Sequence, residues 1–260
     1  MQQQWLSELP VHGVISTEPL LRGVANDVYK ITTTGHSYVL KHFRFDHPYG
    51  LDRAQEVAVQ QQLAAEQLAP EVLYFDPVQG LMLQPFLDGP DLAHSPEPIS
   101  DKIHVLADVS ARIHRAQVEV PPWSLHSRLQ RYCDHLRNFE PERGRQFTKR
   151  LQGYHKLIDS FGAHPVFCHN DLAFHHVFKN GAPLVIDWEY SGLGERYFDL
   201  ASAIQVNQFD ETQQRAFINA YEGIAGFQVN SNLIADWLEL VKVVSQLWYE
   251  LHHHLQQKHI

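Results

Sequence analysis

The sequence predicts an α+β fold in which a small sheet-based lobe, residues 1–87, precedes a mainly helical lobe, residues 88–260. Three observations lead there. Residues 28–43 read as two strands rich in β-branched and aromatic side chains, split by Gly35-His36. Beyond Gly89-Pro90 the pattern changes to long helical stretches. Within the helical part, two short apolar strands each run into a carboxylate, Asp171 and Asp187.

In chain order, Val28 to Thr34 and Ser37 to Phe43 form the first predicted hairpin, with strands also expected at Val72 to Phe75 and Gly80 to Phe86. Between them, Asp52 to Ala69 has helical composition without Gly or Pro, and Pro70 is the expected stop. Strand, strand, helix, strand, strand describes a small α+β lobe. Ser100 to Val118 reads as one helix and Leu125 to Phe161 as at least one more. Phe198 to Leu255 reads as helical with breaks near Asp210 and at Gly223 to Ser231.

Composition narrows the function. Thirty acidic residues against 21 basic ones give a net charge of -9, which argues against a general nucleic-acid binder and is compatible with a cationic small molecule. The apolar runs are too short for a membrane span, and Met1-Gln-Gln-Gln-Trp-Leu-Ser-Glu has neither a basic nor an apolar leader region. A cytoplasmic enzyme with no membrane partner, monomeric or homodimeric, is the expectation. Cys133 and Cys168 are the two cysteines and read as reduced thiols. His252, His253 and His254 read as a solvated patch on a terminal helix.

The richest stretch is Val166-Phe-Cys-His-Asn-Asp-Leu172, followed sixteen residues after Asp171 by Val185-Ile-Asp-Trp-Glu-Tyr190. Phosphoryl transfer needs one carboxylate to accept the proton of the attacking hydroxyl and another to hold the metal that neutralises the phosphates. Strand ends supply the rigidity both require. Upstream, Lys41 lies mid-strand among Val39, Leu40, His42 and Phe43, where a charge must face either solvent or a partner. Glu56, early on the next helix, is the natural partner, and a strand Lys with a helix Glu steadies the phosphates in kinase-type sites. Gly23 and Asn26, in the turn before the first strong strand, suit either an ordinary turn or a backbone approach to phosphate.

The ordered set Gly23 to Asn26, Lys41, Glu56, His169-Asn-Asp171, Asp187-Trp-Glu-Tyr190 and Phe198-Asp-Leu-Ala201 resembles the aminoglycoside phosphotransferase and choline kinase superfamily, which has a two-lobed protein-kinase-like fold. Within it, the chain is most similar to the choline, ethanolamine and bacterial thiamine kinase branch. That resemblance implies ATP and Mg2+. Lys41 would bind the phosphates with Glu56 positioning it, and Gln84, Phe86 and Leu87 would receive the adenine through their backbone. Asp171 would be the catalytic base, His169 would support its loop, Asp187 would hold the metal, and Glu189 would add to the metal site or orient the loop. Asp199 is implied as an anchor for the catalytic loop.

One departure from the family pattern stands out. Five residues after Asp171 the family has an Asn that helps hold magnesium, and this chain has His176, preceded by His175. Imidazole suits transition ions better than magnesium. His176 serves in the Asn role, or the chain has kept binding and lost transfer, or His169, Asp171, His175 and His176 form a transition-metal hydrolase site. The acceptor implied by the resemblance is a small cationic alcohol of choline, ethanolamine or thiamine type. Trp237, Trp248 and Tyr249 are either core residues or the aromatic wall of its pocket, where each good cation contact contributes about 0.5–2 kcal/mol. An aminoglycoside fits less well, for want of clustered carboxylates.

Overall fold

A computed structural model describes residues 5–22, 25–44, 48–121, 123–179 and 181–258. Five strands, β1 (Val14–Arg22), β2 (Asn26–Thr33), β3 (Ser37–Phe43), β4 (Tyr74–Asp76) and β5 (Leu81–Pro85), form one antiparallel sheet in the order β1-β2-β3-β5-β4. Period-2 alternation gives the sheet two faces. Tyr29, Ile31, Leu40, Leu81 and Leu83 pack with Leu9 and Val11 on one side, while Phe43 and Met82 meet Val57 of helix α1 (Arg53–Ala65) on the other. Lys41 pairs across the sheet with Val28 and Met82, so its side chain points to the α1 face.

Helix α1 starts at Asp52, whose carboxylate accepts the Gln55 N–H. It stops at Ala65 rather than Ala69. Gln67 takes a left-handed φ of 56°, and Leu68 then leaves the helix to accept the Val185 N–H. The expected helix 100–118 is α2 (Ile99–Ile113), and the stretch 125–161 holds three helices, α3 (Leu125–Phe139), α4 (Pro141–Gln152) and α5 (His155–Asp159). Strands β6 (Val166–Cys168), β7 (Val177–Phe178), β8 (Leu184–Val185) and β9 (Gly192–Gly194) follow, with β6 paired to β9 and β7 to β8. The chain closes with α6 (Arg196–Val206), α7 (Glu211–Ala225) and α8 (Ser231–Lys258).

The breaks come where the sequence placed them. Asp210 forms a reciprocal capping box with Gln213 at the start of α7, and Gly226 ends that helix at φ 65°. The helical core runs from Leu106, Val109 and Ile113 of α2 to Phe217 and Tyr221 of α7, and on to Leu240 and Leu247 of α8. No described helix is long and apolar enough to cross a membrane. The terminal histidines differ from the expected solvated patch. His252 Nδ1 lies 2.8 Å from the Tyr49 hydroxyl and its ring stacks on Trp248. His254 stacks on Phe139 with Nε2 2.7 Å from Glu140, and His253 is the exposed one.

Candidate active site

The short strands exist to hold two bends. β6 delivers His169-Asn-Asp171 and β8 delivers Asp187. At both bends a non-glycine residue is left-handed, Asn170 at φ 66° and Asp187 at φ 69°. Asn and Asp are the side chains that tolerate this region best. Asn170 is fixed there from two sides, its N–H donating to Asp199 and its Nδ2 to the Tyr190 carbonyl at 2.8 Å. Asp199 also accepts from His114 Nε2 at 2.8 Å, and His114 Nδ1 lies 2.7 Å from the Tyr221 hydroxyl. His114 and Tyr221 had no sequence signal, since they stand 107 residues apart.

Lys41 is buried and has partners. Its Nζ lies 2.9 Å from Glu56 Oε1 and 2.8 Å from Asp187 Oδ1. Arg53, which the sequence did not single out, donates to Glu56 Oε2 at 2.7 Å and to Glu189 Oε2 at 3.0 Å. Asn26 Nδ2 donates to the same Glu189 oxygen at 3.1 Å, while its Oδ1 is buried without a hydrogen-bond partner among the described residues. Asn26 thus braces Glu189, whereas Gly23 lies outside the described residues. Gln84 does not offer its side chain to the cleft, because its Oε1 accepts from Gln60 Nε2 at 2.8 Å. The Phe86 N–H is taken by the Ser37 carbonyl at 3.0 Å, and Leu87 follows beyond this last sheet bond.

Two cations, Lys41 and Arg53, therefore face three carboxylates, Glu56, Asp187 and Glu189, and Asp171 adds a fourth negative group near Asp187. The excess of negative charge shows in their protonation. Burial raises Glu189 to about 7, with Asp187 and Glu56 adding to the rise. Burial likewise raises Asp171 to about 6, helped by Asp187 and Asp199 and opposed by His176. For Asp187 burial also pushes upward, yet the Lys41 charge and the proximity of His176 outweigh it and hold the carboxylate below its ordinary range. Lys41 is the converse: burial disfavours its charge, but Asp187, Glu56 and Glu189 together raise its affinity for the proton.

The two histidines have distinct tautomers. His169 Nε2 lies 3.1 Å from the Ile186 carbonyl and must donate to it, while its Nδ1 accepts the Asp171 N–H. Burial and the neighbouring His176 lower it to about 4, so it stays neutral and acts on the loop, not on a substrate. His176 Nδ1 lies 2.8 Å from the Asp171 carbonyl, which can only accept. In the neutral ring this leaves the Nε2 lone pair facing Asp187 Oδ2 at 3.6 Å. When Nε2 carries no proton, its lone pair and Asp187 Oδ2 can both take a cation, so the residues fit a divalent ion held by Asp187 and His176. The Oε2 of Glu189, by contrast, is already engaged by Arg53 and Asn26. The expected cluster of His169, Asp171, His175 and His176 does not converge, because His175 turns to Asp91 and His94 at the surface.

Asp171 opens onto a cavity of about 350 Å³ walled by Trp123, Arg128, Tyr132, Tyr190, Trp248 and Tyr249. Trp248 Nε1 donates to the Tyr190 hydroxyl at 3.0 Å, and the indole stacks on Tyr49. Trp237 does not line the cavity. It is 1% exposed and packs edge-on against Phe161 and Phe198 in the core. Trp123, Arg128 and Tyr132 were not foreseen, since they come from α3 and the turn before it. A Cβ on Gly192 would overlap the Trp123 indole, so this glycine is what lets that wall close.

The profile of the APH phosphotransferase enzyme family matches residues 16–231. The chain belongs to this phosphotransferase family. Among solved structures of the same kinase-like fold, choline kinase LicA from Streptococcus pneumoniae superposes with a TM-score of 0.77, at 22% identity, over 97% of this chain and 90% of that one. An ethanolamine kinase from Plasmodium vivax gives 0.70 at 17% identity, over 95% and 79% of the two chains. Spectinomycin phosphotransferase gives 0.63 at 17% identity, over 95% and 86%. A LicA homolog of Mycoplasma capricolum is 24% identical over 144 residues, 53% of this chain and 58% of that protein. The chain spans less than two thirds of the length of the curated relatives it matches.

Proposed function

We propose that this phosphotransferase moves the γ-phosphate of ATP to the hydroxyl of a small alcohol bound in the cavity beside Asp171. The observation that carries the reading is the convergence on Lys41 of Glu56 and Asp187, with Asp171 left open to the cavity. Lys41, freed from Asp187 by an incoming nucleotide, presents its ammonium to the phosphates while Glu56 holds its stem in place. The sheet with α1 is the nucleotide-binding half, and the backbone at Leu87 is its adenine contact. One of the similar structures, LicA, holds AMP, which supports the nucleotide reading. Magnesium held by Asp187 and His176 would neutralise charge on the transferring group. Asp171 orients the acceptor hydroxyl and takes its proton, with His169 and Asp199 fixing the loop that carries it.

The fold relatives named for choline and ethanolamine, and the faces of Trp248 and Tyr249, support a small alcohol over an aminoglycoside. A polycation needs several carboxylates, and Asp171 is the acidic residue of the cavity wall. The deciding experiment is magnesium-dependent ADP formation against a panel of alcohols, run beside Asp171→Asn. Acceptor-stimulated ADP formation that the variant loses is the expected result. ATP binding with no stimulated turnover by any acceptor would instead favour a binding protein.

A further inference from the structure

Arg128 stands half-buried at the edge of the apolar face of helix α3. Leu125, Leu129, Tyr132 and Leu136 make the buried face of that helix, and Arg128 flanks it, three residues after Leu125 and four before Tyr132. Its guanidinium carbon lies 4.0 Å from the centre of the Trp123 ring and 5.4 Å from that of Tyr190. Both rings line the cavity onto which Asp171 opens. Among the described residues the guanidinium has no ion pair and no hydrogen-bond acceptor, so its five donors are open to a ligand in the cavity. Two of the aromatic faces that a cationic acceptor would use are thus already covered by a cation of the protein. A quaternary ammonium entering here would meet like charge, with Asp171 as the single carboxylate among the described residues of the wall.

We propose that the acceptor is an anionic alcohol, whose carboxylate or phosphate is bound by Arg128 while its hydroxyl lies at Asp171. The two rings keep the planar fork oriented, so little side-chain freedom is lost when an oxyanion takes its two N–H groups. This rests on the small-alcohol kinase reading and reverses the charge expected of its acceptor.

The test compares ADP formation by the magnesium–ATP enzyme with 4-hydroxybutyrate, glycerate and pantothenate as carboxylates, glycerol 3-phosphate as a phosphate, and choline, ethanolamine and thiamine as cations. The same compounds are titrated calorimetrically in the presence of ADP. We expect one or more of the anions to be preferred by at least ~10-fold in kcat/KM. Arg128→Gln should raise KM for that anion ~10-fold or more while kcat changes less than ~3-fold, and Arg128→Lys should recover part of the loss. Preference for a cation, a KM that does not respond to Arg128→Gln, or no binding of any anion overturns the inference. Failure of the kinase reading looks different: ATP does not bind, or ADP formation survives Asp171→Asn.

Discussion

The carboxylate of Asp199 holds the main chain of Asn170, accepting its N–H on one oxygen while the other takes the Nε2–H of buried His114. Arg196 and the Tyr221 hydroxyl complete a chain of polar contacts from α6 and α7 to the loop that carries Asp171. Burial disfavours the Asp199 charge, yet His114 and the Asn170 amide more than offset this and keep the carboxylate below its ordinary range. Its folded value being depressed, this stability is present above the unfolded carboxylate range and is lost as acid protonates the group. His114→Ala removes one of the hydrogen bonds that this buried carboxylate accepts and should cost about 1–3 kcal/mol in urea unfolding at neutral pH. Asp199→Asn should cost less in stability and still lower kcat, because the loop loses its charged anchor.

Asp171→Asn should lower kcat by about 10²- to 10⁴-fold with the ATP dissociation constant nearly unchanged, since the phosphate-binding groups stay in place. Equal losses in both would show that Asp171 belongs to the nucleotide site.

Only ionised Asp171 can take a proton, and its raised value of about 6 places the acid limb of kcat/KM there, falling as pH drops below it. Glu189 ionises near 7, so the acidity of the metal region grows between pH 6 and 8. Magnesium affinity should rise over that interval. Titration of the ion at several pH values checks this, and Glu189→Gln should flatten the dependence.

His176→Asn should retain magnesium-supported turnover, because an amide can both donate to the Asp171 carbonyl and offer an oxygen to the ion. The manganese-to-magnesium activity ratio should fall in this variant, as the imidazole nitrogen is lost. His176→Ala removes ligand and loop contact together and should raise the half-saturating magnesium concentration about 10-fold or more. Unchanged magnesium dependence in the Ala variant would place the ion elsewhere.

Trp237 and Trp248 stand on the same helix and should fail differently. Trp237→Ala opens a core cavity, costing about 3–5 kcal/mol in chemical denaturation. Trp248→Phe removes the bond to Tyr190 and reshapes the cavity wall, so it should act on the acceptor KM more than on stability.

These contrasts mark what the sequence could carry. Short apolar runs that end in His169-Asn-Asp171 and Asp187 announced themselves, because a strand that delivers a carboxylate has to be apolar up to its last residue. Lys41 and Glu56 were legible as a charge that needed a counter-charge. Strand β1 was not: register shifts after Val14 and Pro19 break its alternation, and Ile15, Leu20 and Leu21 are 67%, 52% and 59% exposed. The cavity wall was legible only in part, since indoles on one helix face look alike in sequence and only packing separates Trp237 from Trp248. Arg53 reaches Glu189, Arg128 reaches Tyr190 and His114 reaches Asp199 across long separations, through partners that no local pattern names.

The direct contact between Lys41 and Asp187 ties together the ammonium and the carboxylate that the proposed reading assigns to different ligands. On the proposed assignment, a nucleotide arriving without metal must compete with Asp187 for the ammonium, and a metal arriving alone must compete with Lys41 for the carboxylate. Each ligand, once bound, releases the group that the other requires. The pair therefore works as a coincidence gate with mutual enhancement: whatever factor by which the ion tightens the nucleotide, the nucleotide must tighten the ion by the same factor. Lys41→Met would remove that reciprocity by leaving Asp187 permanently free, trading selective capture of the metal–nucleotide complex for indiscriminate capture of metal.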